Sequence, residues 1–236
     1  MIDFEHVSKE YKKGGPLALE DINFHVDEGE FVFLLGHSGA GKSTLLKLIL
    51  REETPTEGKV TVLGKDVARL RRHQVPYLRR QMGIIFQDFR LIPSMTVYEN
   101  VAFAMHVTNV KHKEIADRVD YMLELVHLED KASAYPDTLS GGESQRIKIA
   151  AELAKAPSWK LAEDGKRALF ILDEPTSGLH FNEVALLLAA LFRLRDAGHT
   201  ILCVEHHKDL LNAADYLVDM GPGSGTISWP RAPPQM

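Results

Sequence analysis

Apolar residues alternate with polar ones over Ile2-Phe4-His6 and again over Ile22-Phe24-Val26, a period of two that predicts strands with one buried face. Asp27-Glu28-Gly29-Glu30 then turns the chain into Phe31 to Leu35, an unbroken apolar run suited to a parallel strand covered on both sides. A glycine-rich segment follows, and Thr44 to Leu50 reads as the helix it opens. Lys59 to Leu63 alternates between Gly58 and Gly64, and Gly83-Ile84-Ile85-Phe86 is a short buried strand ending at Gln87. From about Asp88 to Lys155 the period becomes helical, clearest over Ile115–Val126 and Glu143–Leu153. Strands return at Ala168–Leu172 and Thr200–Val204, separated by a helix over Asn182–Arg195. This order predicts an α/β domain with a mainly parallel sheet core, an antiparallel β subdomain and a helical insertion. We expect one domain over residues 1–236: a core of 1–87 and 166–221, a helical subdomain of 88–165, and a tail of 222–236. The tail carries Pro222, Pro230, Pro233 and Pro234 and is expected to be flexible beyond a short strand near Ile227.

Composition narrows the class. With 236 residues, 44% hydrophobic and 26% charged, the chain has the make-up of a globular protein with a substantial core. A net charge of −5 argues against a surface built throughout for nucleic acid. The longest apolar run, Val184 to Phe192, is too short to span a bilayer, and the N-terminus lacks the pattern of a secretory signal. A single cysteine, Cys203, excludes an internal disulfide and a cysteine-rich zinc site. A cytoplasmic protein is the expectation.

Three short stretches carry chemistry. Gly36-His37-Ser38-Gly39-Ala40-Gly41-Lys42-Ser43, followed by Thr44, is a phosphate-binding loop placed between a buried strand and a helix. Its glycines let backbone N–H groups turn inward around phosphate oxygens, and the helix adds the positive end of its dipole. Lys42 is then expected to reach the β- and γ-phosphates, and Ser43 to offer a hydroxyl to Mg²⁺. Asp173 and Glu174 end an apolar strand; beside a phosphate loop, Asp173 suits Mg²⁺ and Glu174 suits the general base that polarises water. Ser140 and Glu143 form a capping box, so Ser140-Gly141-Gly142 opens a helix whose N–H groups can face an anion.

These three stretches in this order resemble the ATPase domain of the ABC superfamily. The resemblance implies a P-loop NTPase fold of ABC type that binds and hydrolyses ATP with Mg²⁺. It implies a dimer clamping two ATP molecules, because Ser140, Gly141 and Gly142 would serve the γ-phosphate held by the other subunit. It also gives roles to three residues that mean little alone. Gln87 matches the glutamine that touches Mg²⁺ and the attacking water, His206 the histidine at the γ-phosphate, and Tyr11 the aromatic residue stacked on adenine.

Two narrower resemblances divide the chain. Residues 1 to about 110 resemble the FtsE family of bacterial cell-division ATPases, through Phe4-Glu5-His6-Val7-Ser8-Lys9, the phosphate loop, Val75-Pro76-Tyr77-Leu78-Arg79-Arg80-Gln81 and Thr96-Val97-Tyr98-Glu99-Asn100-Val101. Residues 138 to 223 resemble the last part of the UvrA family of excision-repair ATPases. The carriers there are the signature, Asp173-Glu174-Pro175-Thr176-Ser177-Gly178-Leu179-His180-Phe181, Val204-Glu205-His206 and Val218-Asp219-Met220-Gly221-Pro222-Gly223. An FtsE-type chain with a diverged second half, a UvrA relative without its zinc and DNA-contacting insertions, and a chimera joined between about Val110 and Asp137 all remain open on these residues. The FtsE resemblance implies a membrane partner of FtsX type, with the chain peripheral at the inner face of the membrane. The UvrA resemblance implies ATP-gated DNA binding. Arg69, Arg71, Arg72, Arg79 and Arg80 form a basic cluster suited to acidic lipid headgroups or an acidic loop of that partner. No aromatic residues interleave with these arginines, which makes nucleic-acid contact the less supported reading.

Overall fold

A computed structural model of the chain describes residues 1–85, 91–108, 110–155, 167–177, 179–196, 198–205 and 214–221. They fall into two compact units, Met1–Arg79 with Thr200–Met236, and Arg80–His199.

The first unit begins with β1 (Ile2–Glu10) and β2 (Leu17–Val26), which pair antiparallel in the register Ile2↔Val26 and Phe4↔Phe24. The alternation read from Ile2 and Ile22 is real but each strand is longer than it predicted. An extra residue in β1 between Phe4 and Val7, and extra residues in β2 between Ile22 and Leu17, shift the pairing and break the period of two. The Phe4 and Phe24 rings stack at 4.5 Å on the buried face. Strand β3 covers Phe31–Leu35, as its apolar run predicts, and α1 covers Lys42–Ile49. Strand β4 (Glu57–Val62) joins the far side of β1, and the two-residue β5 (Lys65–Asp66) closes a four-stranded antiparallel sheet in the order β2-β1-β4-β5. A five-residue helix, α2 (Val75–Arg79), ends this stretch.

Two strands from the end of the chain complete the unit. Strands β8 (Thr200–Val204) and β9 (Tyr216–Asp219) both pair parallel with β3. Phe31, Val32, Phe33 and Leu34 are fully buried between them. At roughly 1.5–3 kcal/mol for each such side chain, this run is a main hydrophobic support of the phosphate loop that follows it. Strand β9 escaped the sequence reading, being a four-residue segment with only one buried side chain, Val218. The expected strand near Ile227 and the tail lie outside the described residues.

The second unit pairs β6 (Met82–Ile85) parallel with β7 (Leu169–Asp173). Gly83 faces Phe170 so closely that a Cβ there would sit 2.3 Å from the ring. Helices α3 (Val97–Val107), α4 (His112–Leu125) and α5 (Gly141–Lys155) pack on one another. Thr96 and Glu99 cap α3 reciprocally: Thr96 Oγ1 accepts from the Glu99 N–H at 3.2 Å and Glu99 Oε2 from the Thr96 N–H at 2.7 Å. Buried Asn100 ties the preceding loop by accepting from the Ile92 N–H at 2.7 Å and donating to the Met95 carbonyl at 3.0 Å. The α5 side chain Glu152, 3% exposed, accepts from the Ile84 N–H on β6 at 3.2 Å and pairs with Lys155. The unit ends with α6 (Phe181–Asp196).

His199 is buried beneath Phe170, its ring edge-on at 5.5 Å, and its Nδ1 accepts from the Ala168 N–H at 3.1 Å. An accepting Nδ1 requires the neutral ring, and burial holds the pKa below the ordinary value of 6.5. The unfolded chain therefore binds the proton that the folded chain refuses, and stability falls as pH drops below about 6.5. In denaturant titrations at pH 7.5 and 5.5, the stability advantage of the native protein over His199→Asn should shrink at the lower pH. A constant difference would show that the ring takes no part.

Candidate nucleotide site

The phosphate loop leaves β3 at Gly36 and enters α1 at Lys42. Gly36, Gly39 and Gly41 have φ of 149°, 86° and 95°, values L side chains rarely adopt. Gly41 is also the residue before the first helical turn, and a Cβ on it would lie 2.6 Å from both the Ala18 carbonyl oxygen and Leu19 Cδ2. Leu45 N–H bonds the Gly41 carbonyl at 2.9 Å, so the helix starts where the bare backbone ends. His37, Ser38 and Gly39 are exposed at the tip, while Ala40 is buried and its N–H bonds the His37 carbonyl at 3.1 Å.

Lys42 is nearly buried, and its Nζ donates to the carbonyls of Gly36 (2.5 Å) and His37 (3.0 Å). The ammonium group is thereby held over the curve of the loop that supplies those carbonyls. Ser43 next to it is exposed, in the first turn of α1. Tyr11, from the turn after β1, sits beside the same helix: its hydroxyl lies 3.2 Å from Thr44 Oγ1 and its ring is half exposed. Lys9 Nζ stands 5.3 Å from that ring and is fixed by Glu53 at 2.8 Å and the Thr54 carbonyl at 2.9 Å. One unit thus brings together Tyr11, Gly36, His37, Ser38, Gly39, Ala40, Gly41, Lys42, Ser43 and Thr44.

The other unit holds the remaining described candidates. Asp173 ends β7 and Glu174 follows it with φ of 48°, a left-handed backbone that costs a non-glycine residue roughly 1–2 kcal/mol. The Glu174 carbonyl then accepts from the Ser177 N–H at 3.1 Å, closing a tight turn. The capping box expected at the signature forms: Ser140 Oγ accepts from the Glu143 N–H at 3.1 Å, and Glu143 Oε2 from the Ser140 N–H at 2.8 Å. Ser140 and Gly141 are exposed; Gly142 is buried. Gln87 and His206 lie outside the described residues.

One contact went unread in the sequence. Glu183, on the first turn of α6, accepts a hydrogen bond from the Ser140 hydroxyl at 3.0 Å. The available signal was an acid three residues after His180 at a helix start, which reads as a cap and names no distant partner.

The sequence profile of the ABC transporter family matches residues 19–177. The chain belongs to the ABC transporter family. It is an ATP-binding, ATP-hydrolysing enzyme by that membership. Among its relatives, the cell division ATP-binding protein FtsE of Escherichia coli K12 is 43% identical over 216 residues, 92% of each chain. The Bacillus subtilis protein of the same name is 40% identical over 212 residues, 90% of this chain and 88% of that one. An ATP-binding cassette solved as a dimer in a post-hydrolysis state, with ADP and phosphate bound, superposes with a TM-score of 0.82 at 29% identity. That match covers 98% of this chain and 99% of the cassette. The ABC fold expected from the motifs is therefore present. The FtsE likeness is not confined to residues 1 to about 110: alignments of 212 and 216 residues carry it past the expected junction at 110–137 and through the signature. Nothing in them supports a UvrA segment or a chimera.

Gly41→Ala tests the loop geometry. The added methyl meets backbone as well as a side chain, and the φ is unfavourable, so melting should drop by an amount equivalent to about 2 kcal/mol or more. Binding of a fluorescent ATP analogue should be lost at temperatures where the variant is still folded. Native affinity in that variant would show that the loop tolerates a side chain where the geometry forbids one.

Proposed function

We propose that the chain is an FtsE-type ATPase that pairs with a second copy around two Mg·ATP and couples their hydrolysis to an integral membrane partner of FtsX type in cell division. It acts in the cytoplasm, peripheral at the inner face of the membrane. The observation that carries this reading is the 43% identity spread over 92% of both chains, an extent that takes in the phosphate loop, the signature and the strand-end carboxylates together. Among the described residues no helix is long and apolar enough to cross a membrane.

The residues fit their substrate. A loop in which Gly41 has no room for a Cβ presents main-chain N–H groups to phosphate, and Lys42 already stands over its curve. Lys42 exchanges its two carbonyl contacts for β- and γ-phosphate oxygens, a charge-assisted contact of greater strength. Tyr11 offers a half-exposed face to adenine beside α1. Ser43, Asp173 and Gln87 supply the oxygen donors that suit Mg²⁺, which neutralises charge on the transferring phosphoryl group when bound. Glu174 takes a proton from water as the water oxygen bonds to the γ-phosphorus and the bond to the β–γ bridging oxygen breaks, giving ADP and phosphate. His206 steadies the γ-phosphate. Ser140, Gly141 and Gly142 of the second copy present the α5 N-terminus to the same phosphate.

For the partner, support comes from a cleft of about 620 Å³ lined by Arg51, Glu52, Arg72, Val75, Pro76 and Arg79. Arg51 Nε donates to the Val67 carbonyl at 2.6 Å and Arg79 Nε to the Leu50 carbonyl at 2.8 Å. Pinning a guanidinium through Nε leaves its two terminal amino groups to form a fork for a carboxylate. Arg51 is also left-handed, with φ of 57°, just past the end of α1 where glycine is the least strained choice. Arginine chemistry with Val75 and Pro76 alongside suits an acidic, partly apolar loop of a membrane protein.

Two outcomes check this reading. Glu174→Gln keeps shape but removes the charge, so ATP binding should persist while turnover falls by a factor on the order of 10² or more. ATP-bound dimers should then accumulate in sedimentation; unchanged turnover would move the base elsewhere. Arg72→Glu combined with Arg79→Glu should weaken capture by FtsX-type protein in vesicles by about tenfold or more. Tight, ATP-dependent binding of duplex DNA at physiological salt would overturn the membrane reading in favour of a UvrA-like one, because contacts to phosphate alone weaken steeply with salt.

A further inference from the structure

Glu183 places its carboxylate on the N-terminus of α5. Oε1 accepts from the Ser140 hydroxyl at 3.0 Å, and Oε2 accepts from the His180 N–H at 3.0 Å. A Cβ built on Gly142 would lie 2.0 Å from Glu183 Cδ and 2.1 Å from its Oε1. The carboxylate therefore fills the space that the glycine leaves open. Its pKa is held below the usual carboxylate range, first by the His180 N–H, then by the Ser140 hydroxyl and by the nearby charge of His180 and Arg146. At neutral pH it is an anion on a helix N-terminus, where anions are favoured.

A cap for α6 is the plainer account of Glu183, and the bond from His180 N–H fits it. That account leaves Oε1 unexplained. Ser140 Oγ already accepts from the Glu143 N–H, and it has one proton to give, which is directed at Glu183. A phosphate oxygen binding Ser140 needs that same proton and the same volume over Gly142. Two anions cannot share them.

We propose that Glu183 is a positioning residue that competes with the γ-phosphate for the signature: it holds the Ser140 proton and the space over Gly142 until ATP bound to the second copy displaces it. The inference rests on the two-copy reading above. Closure of the ATP sandwich then requires the Glu183 side chain to leave, which sets the ATP concentration at which the dimer forms. Because the contact lies within one subunit, it restrains a chain that has no partner copy and is released only by assembly.

The test uses the full chain in the Glu174→Gln background, where bound ATP is not consumed, and follows dimer formation by sedimentation over a range of ATP concentrations. Glu183→Ala removes the competitor and Glu183→Gln keeps its shape while removing its charge. Either change should lower the ATP concentration at half-dimerisation by about fivefold or more, the low end of the usual range for a free-energy coupling to ligand binding. Glu183→Ala should at the same time lower the melting temperature, since the α6 cap is lost. A less stable protein that dimerises more readily is a pairing that a purely structural role does not produce. Unchanged or higher ATP requirements in folded variants, with the Glu183 parent dimerising normally, overturn this inference alone. A parent that stays monomeric at saturating ATP overturns the two-copy reading and this inference with it.

Discussion

A phosphate oxygen can reach main-chain N–H groups only where the backbone carries no side chain of its own in the way, and glycines supply such backbone at the starts of α1 and α5. At α1 the exclusion is absolute, because the Ala18 carbonyl and Leu19 occupy the place of any Cβ on Gly41. At α5 the space over Gly142 holds a carboxylate from α6. The two helix starts differ in their surroundings as well. Lys42 brings a cation to the first, whereas Glu183 brings an anion to the second. In the reading we propose, a phosphate is drawn to one and must win the other.

Both starts rest on buried supports. Strand β3 is apolar throughout and covered by β8 and β9, so the loop departs from a fixed point. Helix α5 is buried along most of its length and is tied to β6 through Glu152, whose pKa is raised by burial despite the opposing pull of Lys155 and the Ile84 N–H. A buried, paired carboxylate of this kind fixes register more than it adds stability.

How much could be read in advance follows from how local the information is. The phosphate loop, the capping box and the strand ends were legible because spacing within eight residues dictates their chemistry. Strand β3 was legible because burial on both faces demands an unbroken apolar run. Strand β9 was not, since its place depends on pairing with β3, nearly two hundred residues earlier. Glu183 was not, since its target lies 43 residues away. Arg51 was missed because nothing around it marks a left-handed residue; a glycine there would have. The division between two families was drawn from short motifs such as Ser177-Gly178-Leu179-His180, which sample few positions; identity over more than two hundred residues weighs the whole chain instead.

The left-handed backbone of Glu174 has a consequence for how such a chain can be improved. Glycine adopts a φ of 48° without steric cost, so the position we propose for the general base is one where the folded state would prefer another residue. With that role, thermal resistance and turnover pull on residue 174 in opposite directions. A library screened for heat tolerance alone would enrich well-folded chains that bind ATP and leave it whole.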